Sequence, residues 1–401
     1  MIRKLIHNIV LKSHFWRNTK FDELSELYTS IMMRSFGVGI VGIFVPIYLY
    51  DIGYSLSEIF LYFTIYFLSR PVFSFAAAAL AALKGPKHTM FYSYLLSIAG
   101  FGLLLILPGN SWAFLLTSSV NGAAMTFFFV SLHVDFSKIK HTEHGGKELG
   151  YLIIMDRFGK VLGPLAGGLL AAYVGPQASI ISAMVVIALS AFPLFQSREP
   201  VRLNQSLNYN GIKLKKFWRT IALDLSYTVD GLGTLFIWPL FIALFIAADN
   251  AYQSVGWLTA LGAFVSVIVV ITIGKLIDGK KAGLIFRLSA MGNFLLYFFR
   301  VFSSTLGMAA LVNVANEPLT LGYSMPALKV LYDDVDKLEG LRIVAITVME
   351  IISNLFRGVF MFFLTILSFY TSDRILMSTA LLLIGAMSLG LFLHRSPLLR
   401  K

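Results

Sequence analysis

GKVLGPLAGG, residues 159–168, lies inside a long apolar run yet contains Gly163, Pro164 and the pair Gly167 and Gly168. In the interior of a water-exposed helix, proline costs about 3 kcal/mol and glycine about 1 kcal/mol relative to alanine. In lipid the same residues are tolerated, because neighbouring helices re-satisfy freed backbone groups and small residues let two backbones approach. Whether this stretch is a helix therefore turns on whether the chain lives in a membrane.

Composition settles that. Of 401 residues, 57% are hydrophobic and 13% charged, against roughly 45–50% and 25% in soluble domains. Apolar stretches of about 20 residues, the length that crosses a hydrocarbon core as a helix, recur along the whole chain. Twelve spans are predicted, at 28–49, 57–82, 88–107, 111–133, 151–173, 178–195, 220–245, 254–276, 284–303, 307–329, 343–368 and 374–394. The expected fold is all-α, a polytopic membrane protein of twelve transmembrane helices.

The cations alternate sides. Arg3, Lys4, Lys12, Arg17 and Lys20 precede the first span, and Lys84, Lys87, Lys138, Lys140 and Lys147 follow even-numbered spans. The intervening loops DIGYSLSE, LPGNS and YVGPQ carry none, and only Arg374 breaks the pattern. By the positive-inside rule both termini are expected in the cytoplasm, and an integral protein of a bacterial inner membrane is expected. The net charge of +12 is then a topology signal, and no nucleic-acid partner is expected. Residues 1–27 read as a cytoplasmic interfacial helix and not as a cleaved signal, since LIHNIVL is short and interrupted by His7 and Asn8. With no cysteine, disulfide and thiolate chemistry are excluded.

An internal repeat divides the chain. FVPIYLYDIGYSLSEIF at 44–60 resembles IWPLFIALFIAADNAYQSVGW at 237–257, placing Pro46 and Pro239 193 residues apart. GKELGYLIIMDRFGKVLGP from Gly146 repeats 194 residues later as GLRIVAITVMEIISNLFRG from Gly340, so Asp156 falls on Glu350 and Gly163 on Arg357. Two pseudo-symmetric six-helix bundles, 28–196 and 220–395, are expected, joined by a cytoplasmic linker at 197–219 and followed by a tail at 396–401. Such repeats mark transporters whose halves rock about a central site.

With twelve spans, parallel halves and a central linker, the chain resembles the major facilitator superfamily over essentially its whole length. GKLIDGKK at 274–281 is similar to that family's motif A, with Gly274 and Asp278 at the matching spacing, and the resemblance implies a gating role for both. The first-half counterpart AAAALAALKGPKHT keeps Gly85 and Lys87 but has Ala78 and Ala82 in place of glycine and aspartate. Residues 159–168 resemble motif C of drug and proton antiporters, which implies export. TSSVNGAA at 117–124 keeps Asn121 and Gly122 of motif B but has Ser118 where its arginine belongs.

Ionisable residues inside spans cost several kcal/mol unless they face a cavity or a partner. Arg70, Asp230, Glu317 and Arg357 fall near the expected midplane and, with Asn354, form the candidate substrate or proton site. Glu350, Asn354 and Arg357, spaced i, i+4 and i+7, make one polar stripe. Asp156, Arg157, Lys160 and Glu350 sit shallower and are read, with Gly274 and Asp278, as a cytoplasmic gate. Arg34 and Arg300 are read as snorkelling from span ends. Gly159, Gly163 and Gly167, four apart, form a smooth helix-packing face beside Pro164 and Gly168, for static packing or for sliding. HTEH at 141–144 and DDVDKLEG at 333–340 read as solvated loops, and no metal or cofactor is expected. No GxxxxGK[ST], HExxH or GxSxG occurs in any span, so neither direct ATP use nor an enzyme is expected.

The expected function is a secondary active transporter that moves a small solute by alternating access, proton-coupled, in the bilayer as a monomer. A lipid-handling carrier of the same fold and a non-transporting sensor or assembly protein stay open alongside it.

Overall fold

A computed structural model describes residues 21–139, 145–195, 207–209, 214–277, 282–336 and 341–390. The amino-terminal segment before residue 21, most of the linker, Asp278, HTEH and the tail lie outside the described residues. Twelve helical rods and no strand are present among those described. α1 runs Phe21–Val41, tightens to a 3-10 turn at Gly42–Phe44 and continues as Val45–Asp51. α2 is Leu56–Lys84, α3 Pro86–Ile106, α4 Ala113–Ile139, α5 Gly145–Tyr173 and α6 Pro176–Ser190. α7 runs Leu214–Leu232, through a π-turn at Gly233–Ile237, to Trp238–Phe245. α8 is Ala251–Ile277, α9 Ala282–Phe302, α10 Leu306–Asp336, α11 Arg342–Ser368 and α12 Asp373–Ser388.

Local chemistry sets the boundaries. Ser55 and Glu58 close a capping box at the start of α2, with the Ser55 amide donating to Glu58 Oε2 at 2.8 Å. Gly85, at φ +94, ends α2, and Pro86 starts α3 at once. Gly175, at φ +121, and Pro176 make the same corner between α5 and α6.

Nine helical segments are long and apolar enough to cross a membrane among the described residues. The three rods that fall short are α5, α10 and α12. α5 holds Asp156, Arg157 and Lys160, α10 holds Asn313, Asn316 and Glu317, and α12 spans 16 residues. α5 and α10 are polar for the same reason that they matter: they carry charge into the centre.

The packing repeats with a period of six helices. Within the first bundle α1 packs on α5 and α6, α2 on α4, and α3 on α4 and α6. Within the second, α7 packs on α11 and α12, α8 on α10, and α9 on α10 and α12. The bundles meet chiefly through α2 against α11 and α5 against α8, two pairs that exchange under the repeat. At the end that carries the linker, Ala78 and Ala82 of α2 are buried with Val134, Ile343 and Ile346. So the alanines at the first-half counterparts of Gly274 and Asp278 are small residues in an apolar seam between bundles. At the opposite, far end, the Phe44 ring meets Tyr252 at 5.6 Å, and Val45–Asp51 packs on Trp238–Phe245.

The glycine face of α5 has a definite partner. A Cβ on Gly159 would meet the backbone of Met32 and Phe36, one on Gly163 that of Phe36 and Gly39, and one on Gly167 that of Ile40. All belong to α1, in the same bundle, so the face is a backbone-to-backbone seam inside the first half. Gly168 instead faces Tyr252 and Gly256 of α8 across the bundle interface, and Gly256 faces the Pro164 carbonyl. Valine at Gly163 or Gly167 therefore has nowhere to go, because backbone, not a pliable side chain, fills the space. Gly167→Ala is expected to lower the thermal midpoint of detergent-purified protein, with an overpacking cost of about 1–3 kcal/mol. Leu162→Val, on the exposed side of α5, should leave it unchanged. Equal melting of the two variants would contradict the seam.

Candidate functional site

A ladder of polar groups ties α2 and α4 of one bundle to α7 and α11 of the other. Arg70, 3% exposed, donates from Nη2 to Glu350 Oε2 at 3.3 Å and from Nε to Thr126 Oγ1 at 3.3 Å. Glu350 also accepts from Asn354 Nδ2 at 2.8 Å. One turn on, Arg357 donates from Nη1 to Asn354 Oδ1 at 3.2 Å and from Nε to the Thr228 carbonyl at 3.3 Å. Ser353, on the same helix, donates to Asp224 of α7. The i, i+4, i+7 spacing of Glu350, Asn354 and Arg357 makes this possible, since it puts all three on one face of α11. Glu350, read as shallow, thus sits in direct contact with Arg70.

Aromatic rings flank the ladder. The Phe67 ring lies 5.7 Å from the Arg357 guanidinium carbon, and Tyr66 and Phe129 flank Arg70 at 5.8 and 5.7 Å. Phe236, from the π-turn of α7, packs on Phe63 at 4.4 Å and on Phe67 at 5.9 Å across the interface. π-turns recur at functional sites; this one carries an aromatic ring to the other bundle.

A second ion pair crosses the interface. Arg157 of α5 donates from Nη1 to Glu317 Oε2 of α10 at 3.2 Å. Asp156, its neighbour, stays within its own bundle, accepting from Lys160 at 2.6 Å and from Ser35 of α1 at 2.6 Å. Asp156 and Glu350 hold equivalent places in the repeat but unlike partners: Glu350 joins the halves and Asp156 does not. The four residues grouped by sequence as one gate are thus divided between separate contacts. Gly274 lies in the last turn of α8.

Asp230 is enclosed within the second bundle, where Asn293 Nδ2 donates to it at 2.9 Å and the Tyr297 hydroxyl at 2.8 Å. Both donors lie on α9, so Asp230 fastens α7 to α9. Beside it, Arg300 is fully buried, donates to Asn316 Oδ1 at 2.7 Å and stacks on Tyr297 at 4.3 Å. Arg34, 4% exposed, packs 3.3 Å over the Phe128 ring and donates to the Met125 sulfur. The snorkelling reading of Arg34 and Arg300 is therefore corrected: both point inward, held by aromatic faces that accept a cation. Asp224, Thr126, Asn293, Tyr297 and Asn316 were not singled out by sequence. Asp224 sits close to the basic linker and reads as a boundary residue, and the others are neutral groups common in membrane helices.

What this arrangement can do is hold charge at a breakable junction. Each of the two cross-bundle ion pairs has one member per half, so separating the halves there leaves both charges to find new partners or water.

The fold has known counterparts. The major facilitator superfamily transporter FucP, in its outward conformation, superposes with a TM-score of 0.62 at 12% identity, over 92% of this chain and 97% of that one. An asparagine-to-alanine variant of the E. coli fucose:proton symporter FucP gives 0.63 at 13% identity, with the same coverage. No curated protein matches the sequence. Residues 27–327 match the family model of the Major Facilitator Superfamily. With that match across most of the sequence, and the six-helix repeat in its packing, the chain belongs to the Major Facilitator Superfamily of transporters.

Proposed function

We propose that this protein moves a small solute across a bacterial inner membrane by alternating access, with both termini in the cytoplasm. The observation that carries the reading is the pair of cross-bundle ion pairs, Arg70 with Glu350 and Arg157 with Glu317. A protein that never opened a path between its halves would gain more from apolar side chains there, because replacing a buried ion pair by packed apolar residues is often neutral or stabilising. The solute site is the interface around Arg70, Asn354 and Arg357. Coupling is assigned to Glu317: a proton delivered to this carboxylate removes its charge and frees Arg157. Asp230, held by two donors inside one bundle, has a positioning role instead. Asp156, Lys160, Gly274 and Asp278 complete the gate on the linker side. The glycines of α5 serve packing, so no direction of transport is attached to them.

The chain has no cysteine, so an introduced thiol reports alone. Tyr227→Cys, half-buried on α7 beside Tyr323 of α10, is expected to react with a membrane-impermeant maleimide added from either face of oriented vesicles. Labelling from one face only, under every ionic condition and in both vesicle orientations, would contradict alternating access. For coupling, Glu317→Gln in proteoliposomes should abolish solute accumulation driven by an imposed pH gradient while leaving counterflow exchange intact. Asp230→Asn should reduce folded yield instead. Full pH-driven accumulation in Glu317→Gln would remove Glu317 from the coupling path.

A further inference from the structure

We infer that the solute is an organic anion carrying one negative charge on an apolar body, with its carboxylate seated on Arg357. This rests on the transport reading above and adds the chemical class that reading leaves open.

Several buried charges of this protein have a partner of opposite sign. Among the described residues, Arg70 pairs with Glu350, Arg157 with Glu317, Lys87 with Glu26, and the more exposed Lys160 with Asp156. Among the same residues Arg34, Arg300 and Arg357 stand at no carboxylate within ion-pair distance, although the acids Asp135, Asp224 and Asp230 match them in number. Inside a bundle shielded from water a guanidinium with no acidic partner is costly unless an anion arrives.

The three unpaired guanidiniums are not equivalent. Arg300 is sealed between Trp238, Tyr297 and Asn316 and is offset through Tyr297 by Asp230. Arg34 is sealed under Phe128 and Met125 in the first bundle. Arg357 alone of the three is half-buried, and it stands at the bundle interface. Its protein partners are neutral, the Thr228 carbonyl and the Asn354 amide oxygen. The nearest carboxylates are otherwise engaged, Glu350 by Arg70 and Asn354 and Asp224 by Ser353. An arginine fork with only neutral acceptors retains donor capacity for a carboxylate, which it matches in geometry.

The surroundings select the rest of the molecule. Phe67 and Tyr66 come from α2, and Phe236 crosses from α7 to pack on Phe67. A ligand with its carboxylate on Arg357 and its body along these rings touches both bundles at once. It would give Arg357 an acidic partner and bury apolar surface together.

The test is a thermal-shift titration of detergent-purified protein with benzoate, phenylacetate and hexanoate, each against its neutral primary amide. The carboxylates should raise the midpoint saturably, as binding to the folded state requires, and the amides should not. Arg357→Gln should weaken the apparent affinity by about tenfold to a hundredfold, the range for a lost charge-assisted hydrogen bond, and Arg357→Lys should retain part of it. The wild-type comparison of acid with amide stands even if a variant fails to fold. Absence of any carboxylate shift in wild type, equal shifts by amides, or an unchanged affinity in Arg357→Gln would each overturn the inference. If Tyr227→Cys still labels from both faces in those cases, the transport reading survives and only the assignment of an anionic solute falls.

Discussion

Charge buried between two halves of a membrane bundle is the constraint on which the rest of this structure depends. A guanidinium or carboxylate deep in a bilayer protein costs several kcal/mol unless it is paired or reaches water. Here the pairing is shared between the bundles: Arg70 and Arg157 lie on α2 and α5, while Glu350 and Glu317 lie on α11 and α10. Neither bundle is electrostatically complete without the other. The contact between them is held by groups that water, a proton or a solute can also satisfy, which is what an interface that opens and recloses requires.

Around that junction the rest is apolar and tight. Backbone meets backbone where the α5 glycines lie on α1, which makes the first bundle a rigid unit. Asp230, Asn293, Tyr297 and Arg300 bind α7, α9 and α10 together in the second bundle. The ring contacts of Phe63 and Phe67 with Phe236 carry no hydrogen bonds across the interface. Rigid halves meeting through breakable pairs and smooth rings can move as bodies, because strain is not absorbed inside either one.

Much of this was legible in the sequence, and what was not has a physical cause. Span number and the six-helix repeat follow from hydropathy and from matched stretches such as those around Pro46 and Pro239, because burial in lipid constrains every residue of a span. The stripe of Glu350, Asn354 and Arg357 was readable because helical periodicity alone decides which residues share a face. Partners across helices were not readable. Depth counted from a span end put Arg34 and Arg300 at the surface, because arginine reaches several ångströms along or away from its helix, and it could not show that Glu350 meets Arg70. The glycine face of α5 announced close packing but not its partner, since small residues permit an approach without specifying to what. Asp224 and the neutral groups of α9 have meaning only through contacts that the chain does not encode locally.

The central claim, that the two bundles move as units about the cross-bundle ion pairs, is tested most directly by distances measured at both ends of the molecule. Spin labels at Trp112 and Leu306 report the far end, and labels at Leu83 and Leu284 the linker end; all four side chains are exposed. Double electron–electron resonance would compare wild type with the double variant Glu317→Gln and Glu350→Gln. With both ion pairs neutralised, the linker-end distance is expected to lengthen as the far-end distance shortens or holds, with each distribution staying narrow. Unchanged distances at both ends, or a broad lengthening at both, would contradict rigid bundles held by those pairs.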